Sequence, residues 1–382
     1  MSAKKHPNGR KGQADLLYAS SHDANMLYAT RFTAPDPFLF VGRRGHKTIA
    51  VSNLEVDRAR KQAEVHRVIR FADVEKRLRT KKQPLVPLSR LVVAILRDLE
   101  IRSVDVPGNF PLLLADHLRR RGIRVFPHPE PFFTARCVKE PWEVRHIADA
   151  VRQTEAALQG AIDLIASARI RNGRLHKNGR PLTAEDVKRT LAERLLADEL
   201  VASETIVACG EQACDPHDRG SGTLRAHQAI ILDVFPRSTR TGYWADMTRT
   251  VVRGTPSTAL RNVYAAVRDA EEKAVRAVRA GVKANEIHGL VEKTFAAAGF
   301  KTGKAKGRMQ GFFHGTGHGV GLDLHEMPRV SRWPNVLQAG EVITIEPGLY
   351  YPGIGGVRIE DLVVVTDRGC RNLNRLPKVF EV

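Results

Sequence analysis

The 382-residue chain has no apolar run approaching the roughly 18 residues that a membrane-spanning helix requires. Its basic first residues, MSAKKHPNGRKGQ, have no apolar stretch behind them, so they do not read as a secretory leader. Cysteine is scarce. Cys137, Cys209, Cys214 and Cys370 show no C-x-x-C spacing and are too few for a disulfide framework, so a reduced, cytoplasmic setting is expected. Acids are in deficit as well: 42 Asp and Glu against 61 Lys and Arg give a formal charge of +19. Residues 58–82 carry ten Lys or Arg against three acids, and KTGKAKGR (301–308) adds a second basic cluster. Aromatic interleaving, RNA-binding motifs and zinc-finger spacing are all missing. The expected reading is therefore a solvated basic surface rather than nucleic-acid contact.

At 42% apolar and 27% charged residues, the chain is an ordinary globular one, long enough for two domains with separate cores. Residues 1–13 read as a basic flexible tail. From 14 to 135, the strand candidates LLYAS, PFLFVG, KTIAVSN, SVDVPG and RVFPHP alternate with helical patterns at 87–99 and 111–122, an α/β arrangement. It holds no catalytic constellation. The junction falls in PFFTARCVKEPWEV, where Glu140-Pro141 opens a helix. Over 136–382 the order helix, helix, strand, hairpin occurs twice, with helices expected near 141–168, 184–198, 258–280 and 285–298. That repetition predicts a pseudo-two-fold α+β domain with its site between the halves.

The hairpins carry the chemistry. Asp233 and Asp246 lie in ILDVFPRSTRTGYWADMTRTVV, and Glu346 and Glu360 in EVITIEPGLYYPGIGGVRIE, one carboxylate on each arm. Opposing the first pair centres a turn between Thr239 and Arg240. Opposing the second centres it on Gly353 of YPGIGG, a strong turn signal. Opposed residues share a face, with Cβ atoms about 4.5–5.5 Å apart. Four buried carboxylates without cations would repel one another at prohibitive cost, and a pair of metals about 3.5–4 Å apart removes that problem.

In HGTGHGVGL, glycine alternates, so His314, Thr316, His318 and Val320 would share one strand face. Four residues of strand span about 13 Å. One histidine should therefore ligate while the other serves the substrate. The glycines disfavour a helical H-x-x-x-H zinc site and let a neighbouring backbone or substrate come close. A phosphate-loop reading fails because no GK[ST] follows.

GYWADMTRT, HGTGHGVGLDLHE, ITIEPGLY and VRIED together resemble the signature blocks of the pita-bread dinuclear metallopeptidases. That family includes Xaa-Pro aminopeptidases, Xaa-Pro dipeptidases (prolidases) and methionine aminopeptidases, with creatinase as a relative without metal. The resemblance covers roughly 136–382. It implies metal ligation by Asp233, Asp246, His318, Glu346 and Glu360, with Glu346 also managing the proton of the attacking water. It further implies that His217, His314 and His325 are active-site histidines that do not ligate. Arg358 matches an Arg of the Xaa-Pro branch, and Arg329 in HEMPRVS matches one that meets a substrate carboxylate in some prolidases. The first Asp pair stands about two residues further apart than is usual in the family; an even insertion preserves side-chain parity, so ligation is expected to survive.

The implied reaction is hydrolysis of the amide bond after an N-terminal residue, in Xaa-Pro dipeptides or longer Xaa-Pro peptides. A set of four carboxylates and one His favours a hard cation, Mn²⁺ first, with Co²⁺ or Zn²⁺ as substitutes. The N-terminal domain separates the chain from most methionine aminopeptidases, and the complete ligand set separates it from creatinase-like hydrolases. A homodimer is implied by the resemblance alone. The competing reading, a catalytically inactive relative binding nucleic acid or ribosomes, suits the +19 charge but not an intact ligand set.

Overall fold

The computed structural model describes residues 13–81 and 85–382. The expected tail at 1–13 lies outside the described residues except for Gln13, which belongs to the first strand and pairs with Ser103. The chain divides into two compact units, with the break between Arg136 and Cys137.

The first unit is built on a six-stranded mixed sheet. In spatial order its strands are Arg67–Arg70, His46–Val51, Phe38–Arg43, Gln13–Ala19, Ser103–Pro107 and Arg124–His128. Five of the six coincide with apolar runs in the sequence. The sixth, RVIR, is a parallel edge strand whose basic residues hide it from a hydrophobicity reading. The helices Leu88–Asp98 and Leu112–Arg120 bury Leu91, Val92, Ile95, Leu96, Leu114 and Leu118 in a core shared with strand residues Leu16, Leu39 and Val104. Each fully buried aliphatic side chain contributes about 1.5–3 kcal/mol.

The second unit repeats one pattern twice. Helix Pro141–Ala166 opens with Pro141 in its first turn, and the Glu143 carboxylate accepts from the Glu140 N–H at 2.9 Å. Helix Ala184–Ala197 is capped by Thr183, which exchanges hydrogen bonds with Asp186. Strands Ile206–Cys209, Ile230–Val234 and Met247–Val251 then form an antiparallel sheet. The second round supplies helices Thr258–Ala277 and Ala284–Ala297, then strands Gly317–Gly319, Val342–Ile345 and Asp361–Val365 at the centre of a five-stranded sheet.

Helix Thr258–Ala277 buries Leu260, Val263, Val267, Ala270 and Ala274, spaced three or four apart, against Ile343, Ile345 and Val363. Strand alternation then turns Thr344 and Glu346 to the opposite face. That alternation aims the second hairpin's acids away from the helices. Among the described residues, no helix is long and apolar enough to cross a membrane.

Candidate metal centre

The acids stand at matching places in the two halves. Asp233 is near the end of its outgoing strand and Glu346 just beyond its own; Asp246 and Glu360 each come one residue before the returning strand. In the second hairpin, Ile345 pairs with Asp361 and Gly348 with Arg358. One register therefore runs from base to tip, with Glu346 opposite Glu360. Gly353, at φ 87°, sits at the centre of the tip, where a left-handed residue is required.

The first hairpin departs from the expected opposition. Asp233 pairs with Thr248 and Val234 with Met247, so Asp246 falls two residues from the position facing Asp233. An offset of two keeps both carboxylates on one face. The intervening loop is held by its own partners. Arg237–Ser238 pairs with Leu200–Val201, while the Trp244 N–H and indole Nε1 donate to the carbonyls of Gly321 and Leu322 at 2.9 and 3.1 Å. Trp244, at the end of this loop, thus anchors the segment that follows His318.

Asp246, His318 and Glu360 present ligand atoms that all lie within 4.8 Å of one another, and all three are buried. Glu346 joins this group: the His318 Nε2 is 3.5 Å from an oxygen of Glu346 and from one of Asp246. The His318 Nδ1–H donates to the Gly319 carbonyl at 3.1 Å, which leaves Nε2 as the lone-pair nitrogen facing the acids. Burial pushes the His318 imidazole down to about 3, so it is neutral. Glu360 accepts from the Thr248 hydroxyl at 2.8 Å.

Asp233 stands apart from the converging group of three. Its Oδ2 takes a 2.7 Å hydrogen bond from Arg358, while its Oδ1 is buried with no hydrogen-bond partner among the described residues. Such an orphaned anionic oxygen fits a cation.

Burial, reinforced by Asp233 and Glu346, holds the Asp246 carboxyl well above its ordinary range. Glu360 is raised likewise by burial and then by Asp246 and Glu346. Burial also lifts Glu346, to about 7. These shifts share one origin: too much negative charge in too little water. The residues present fit divalent metal.

The remaining candidates divide into two sets. His314 does not share a strand with His318, because the strand spans only Gly317–Gly319. A Cβ on Gly317 would come 1.9 Å from the Thr344 carbonyl oxygen, so glycine there admits a neighbouring backbone. The His314 Nδ1–H donates to the Gly315 carbonyl at 2.7 Å, and its Nε2 accepts from the Tyr350 hydroxyl at 2.9 Å. That hydroxyl in turn accepts from Arg358 at 2.8 Å. Both terminal nitrogens of Arg358 are thereby spent inside the protein, on Tyr350 and Asp233, and the residue is 3% exposed. By contrast His217, His325 and Arg329 are exposed. The His325 ring meets His318 edge-on at 4.3 Å between centroids. Arg329 pairs with His318 across neighbouring strands. Tyr350 and Thr248 were not foreseen from sequence, although counting outward from Gly353 places Tyr350 diagonal to Arg358 on the same face.

Comparison with known proteins supplies the family. An Xaa-Pro dipeptidase from Pyrococcus horikoshii is 30% identical over 279 residues, 72% of this chain and 74% of that one. One from Pyrococcus furiosus is 36% identical over 174 residues, 45% of this chain and 47% of the relative. Among solved structures, an X-Pro aminopeptidase from Thermotoga maritima superposes with a TM-score of 0.80 at 23% identity, covering 97% of each chain. A prolidase from Pyrococcus horikoshii gives 0.77 at 25% identity, covering 96% of this chain and 94% of that one. The fold is thus an α/β N-terminal domain followed by the pita-bread domain. With residues 145–367 matching the family's pattern, the chain belongs to metallopeptidase family M24.

Proposed function

We propose that residues 136–382 form an Xaa-Pro exopeptidase, with Asp233, Asp246, His318, Glu346 and Glu360 holding two divalent cations. The observation that carries this reading is the buried convergence of Asp246, His318 and Glu360, with Glu346 beside them. When bound, the cations activate a water and polarise the scissile carbonyl.

The chain's own residues do the rest. Glu346, at the edge of the group with its side chain 20% exposed, takes the proton of the attacking water and delivers it to the leaving amine. His217 and His325 have ring nitrogens free to donate to the carbonyl oxygen as charge develops on it. His314 instead joins the chain Arg358, Tyr350, His314. Arg358 fixes Asp233 with its free oxygen turned inward. Arg329, exposed beside the histidines, receives the carboxylate of a dipeptide, which favours dipeptidase over aminopeptidase action.

Mn²⁺ is the proposed metal because four carboxylate ligands favour a hard cation, with Co²⁺ or Zn²⁺ as substitutes. Cytoplasmic placement rests on the absence of disulfide spacing, and a homodimer on family resemblance. The inactive nucleic-acid-binding reading is disfavoured because no candidate ligand is missing. The test is turnover by Mn²⁺-loaded protein of an Xaa-Pro dipeptide and of a longer Xaa-Pro peptide. Cleavage of the dipeptide alone supports the dipeptidase, and cleavage of both supports the aminopeptidase. Cleavage of neither by fully loaded protein refutes the peptidase.

A further inference from the structure

The second unit carries a cluster of cations that the peptide chemistry does not use. Strands Arg169–Arg171 and Arg174–Lys177 are joined by an Asn172-Gly173 turn, with both residues at positive φ. Arg171 pairs with Arg174 in this ladder, and Arg174 bridges on to Arg225. Cross-strand partners point to one face, so the three arginines form a single row. Like charges directly opposed across strands destabilise a sheet.

The protein supplies no relief. Among the described residues, no carboxylate forms an ion pair with Arg171, Arg174 or Arg225. Arg180, in the same small sheet, shows what a satisfied arginine looks like there: its two terminal nitrogens take the two oxygens of Asp186 at 2.8 and 2.9 Å.

Arg174 and Arg225 line a cavity of about 650 Å³ together with the side chains of Gln212, Gln228, Ser221 and Thr223. Its single carboxylate, Glu211, is committed elsewhere. One oxygen is held by Arg308 and the other accepts from the Gly353 N–H at 3.2 Å. The Gln212 amide is also engaged, its Nε2 donating to the Ser221 hydroxyl at 3.2 Å and its Oε1 accepting from the Ser221 N–H at 3.3 Å. The cavity therefore offers two guanidinium forks without a carboxylate partner, the Gln228 amide and the Ser221 and Thr223 hydroxyls. None of the residues proposed to hold metal lines it. Gly353 and Ile354, at the tip of the Glu hairpin, form part of the wall.

We infer that this cavity is a binding site for a small polyanion of the phosphate class, clamped by Arg174 and Arg225. Guanidinium forks match phosphate oxygens in pairs, and the Gln228 amide and the two hydroxyls satisfy those that remain. A half-open pocket, rather than a flat stripe, suits a small molecule better than a nucleic-acid backbone.

The probe is inorganic pyrophosphate, titrated calorimetrically into the Mn²⁺-loaded protein. Because pyrophosphate also reaches bound metal, the informative comparison is with the Arg174→Gln/Arg225→Gln variant, whose metal content and peptidase turnover should equal those of the wild type. The wild type should show a binding component that weakens as salt rises and that drops at least about tenfold in the variant. Ser221→Asp, which places a carboxylate against the arginines, should abolish the same component and raise the melting temperature. Identical isotherms for wild type and both variants would overturn the site. So would the absence of any component beyond the one that disappears when metal is removed.

Discussion

On one hairpin Glu346 faces Glu360 across strands that keep a single register to a tip at Gly353. On the other, Asp233 faces Thr248, and Asp246 sits two residues away, at the end of a loop tied to other parts of the unit. Both nevertheless turn their acids to the same face. Delivery of a carboxylate depends on strand parity, which both hairpins keep, and not on direct opposition, which only one has. The hairpins also differ in how the acids are held. Glu360 is steadied by the neutral Thr248 hydroxyl, whereas Asp233 is steadied by a buried guanidinium. The Asp half thus comes with part of its charge already balanced, whereas in the proposed site the Glu half relies on a cation.

That contrast can be broken experimentally. The largest effect is expected at Glu346. Replacing it with Gln or Ala should lower kcat by roughly a thousandfold, within the range for loss of a general base. Retained turnover in metal-loaded protein would remove Glu346 from the chemistry. Next comes Arg358→Met, which strands the buried Asp233 charge and should cost about 3–5 kcal/mol in metal-free protein. Denaturation with and without Mn²⁺ checks this: the loss should shrink markedly when metal is present. Equal losses in the two forms would mean that Asp233 does not meet a cation.

The third expectation concerns pH. Burial raises the Glu346 carboxyl from its ordinary 4.5 to about 7, so the folded metal-free protein holds a proton that the unfolded chain releases. Its contribution to stability is fully present below pH about 4.5 and is lost as pH rises through about 7. Metal must displace protons from the same acids. Affinity for Mn²⁺ should therefore climb with pH, about tenfold per unit for each proton released, with the Glu346 share of that slope ending above about 7. Calorimetry at several pH values reads both trends, and a flat profile would contradict the crowding of charge. The smallest effect compares the tips. One glycine inserted after Arg240 should be absorbed by its loop. The same insertion after Gly353 breaks a register that runs to the tip and should cost roughly 1–2 kcal/mol more.

How much of this was legible in the sequence follows from the same contrast. YPGIGG names its turn by chemistry, so the Glu hairpin could be registered by counting outward from Gly353. The Asp hairpin could not, because PRSTRT is shaped by pairing with Leu200–Val201, and Trp244 after it by Gly321 and Leu322, all far away in the chain. The metal-facing acids were visible as residue types on paired strands. The partners that fix them, Tyr350 and Thr248, are ordinary strand residues whose roles appear only on packing. The edge strand Arg67–Arg70 was hidden by its charge, and His314 by a strand shorter than its glycine pattern promised.

The central claim is that two hairpins of unlike construction jointly hold a pair of cations. Anomalous diffraction from crystals of Mn²⁺-loaded protein tests it most directly. Two manganese peaks are predicted, with His318 and at least one acid from each hairpin on the pair, and with Asp233 in contact while still bonded to Arg358. A single peak held by Asp246, His318 and Glu360 alone, with Asp233 facing only Arg358, would contradict the account.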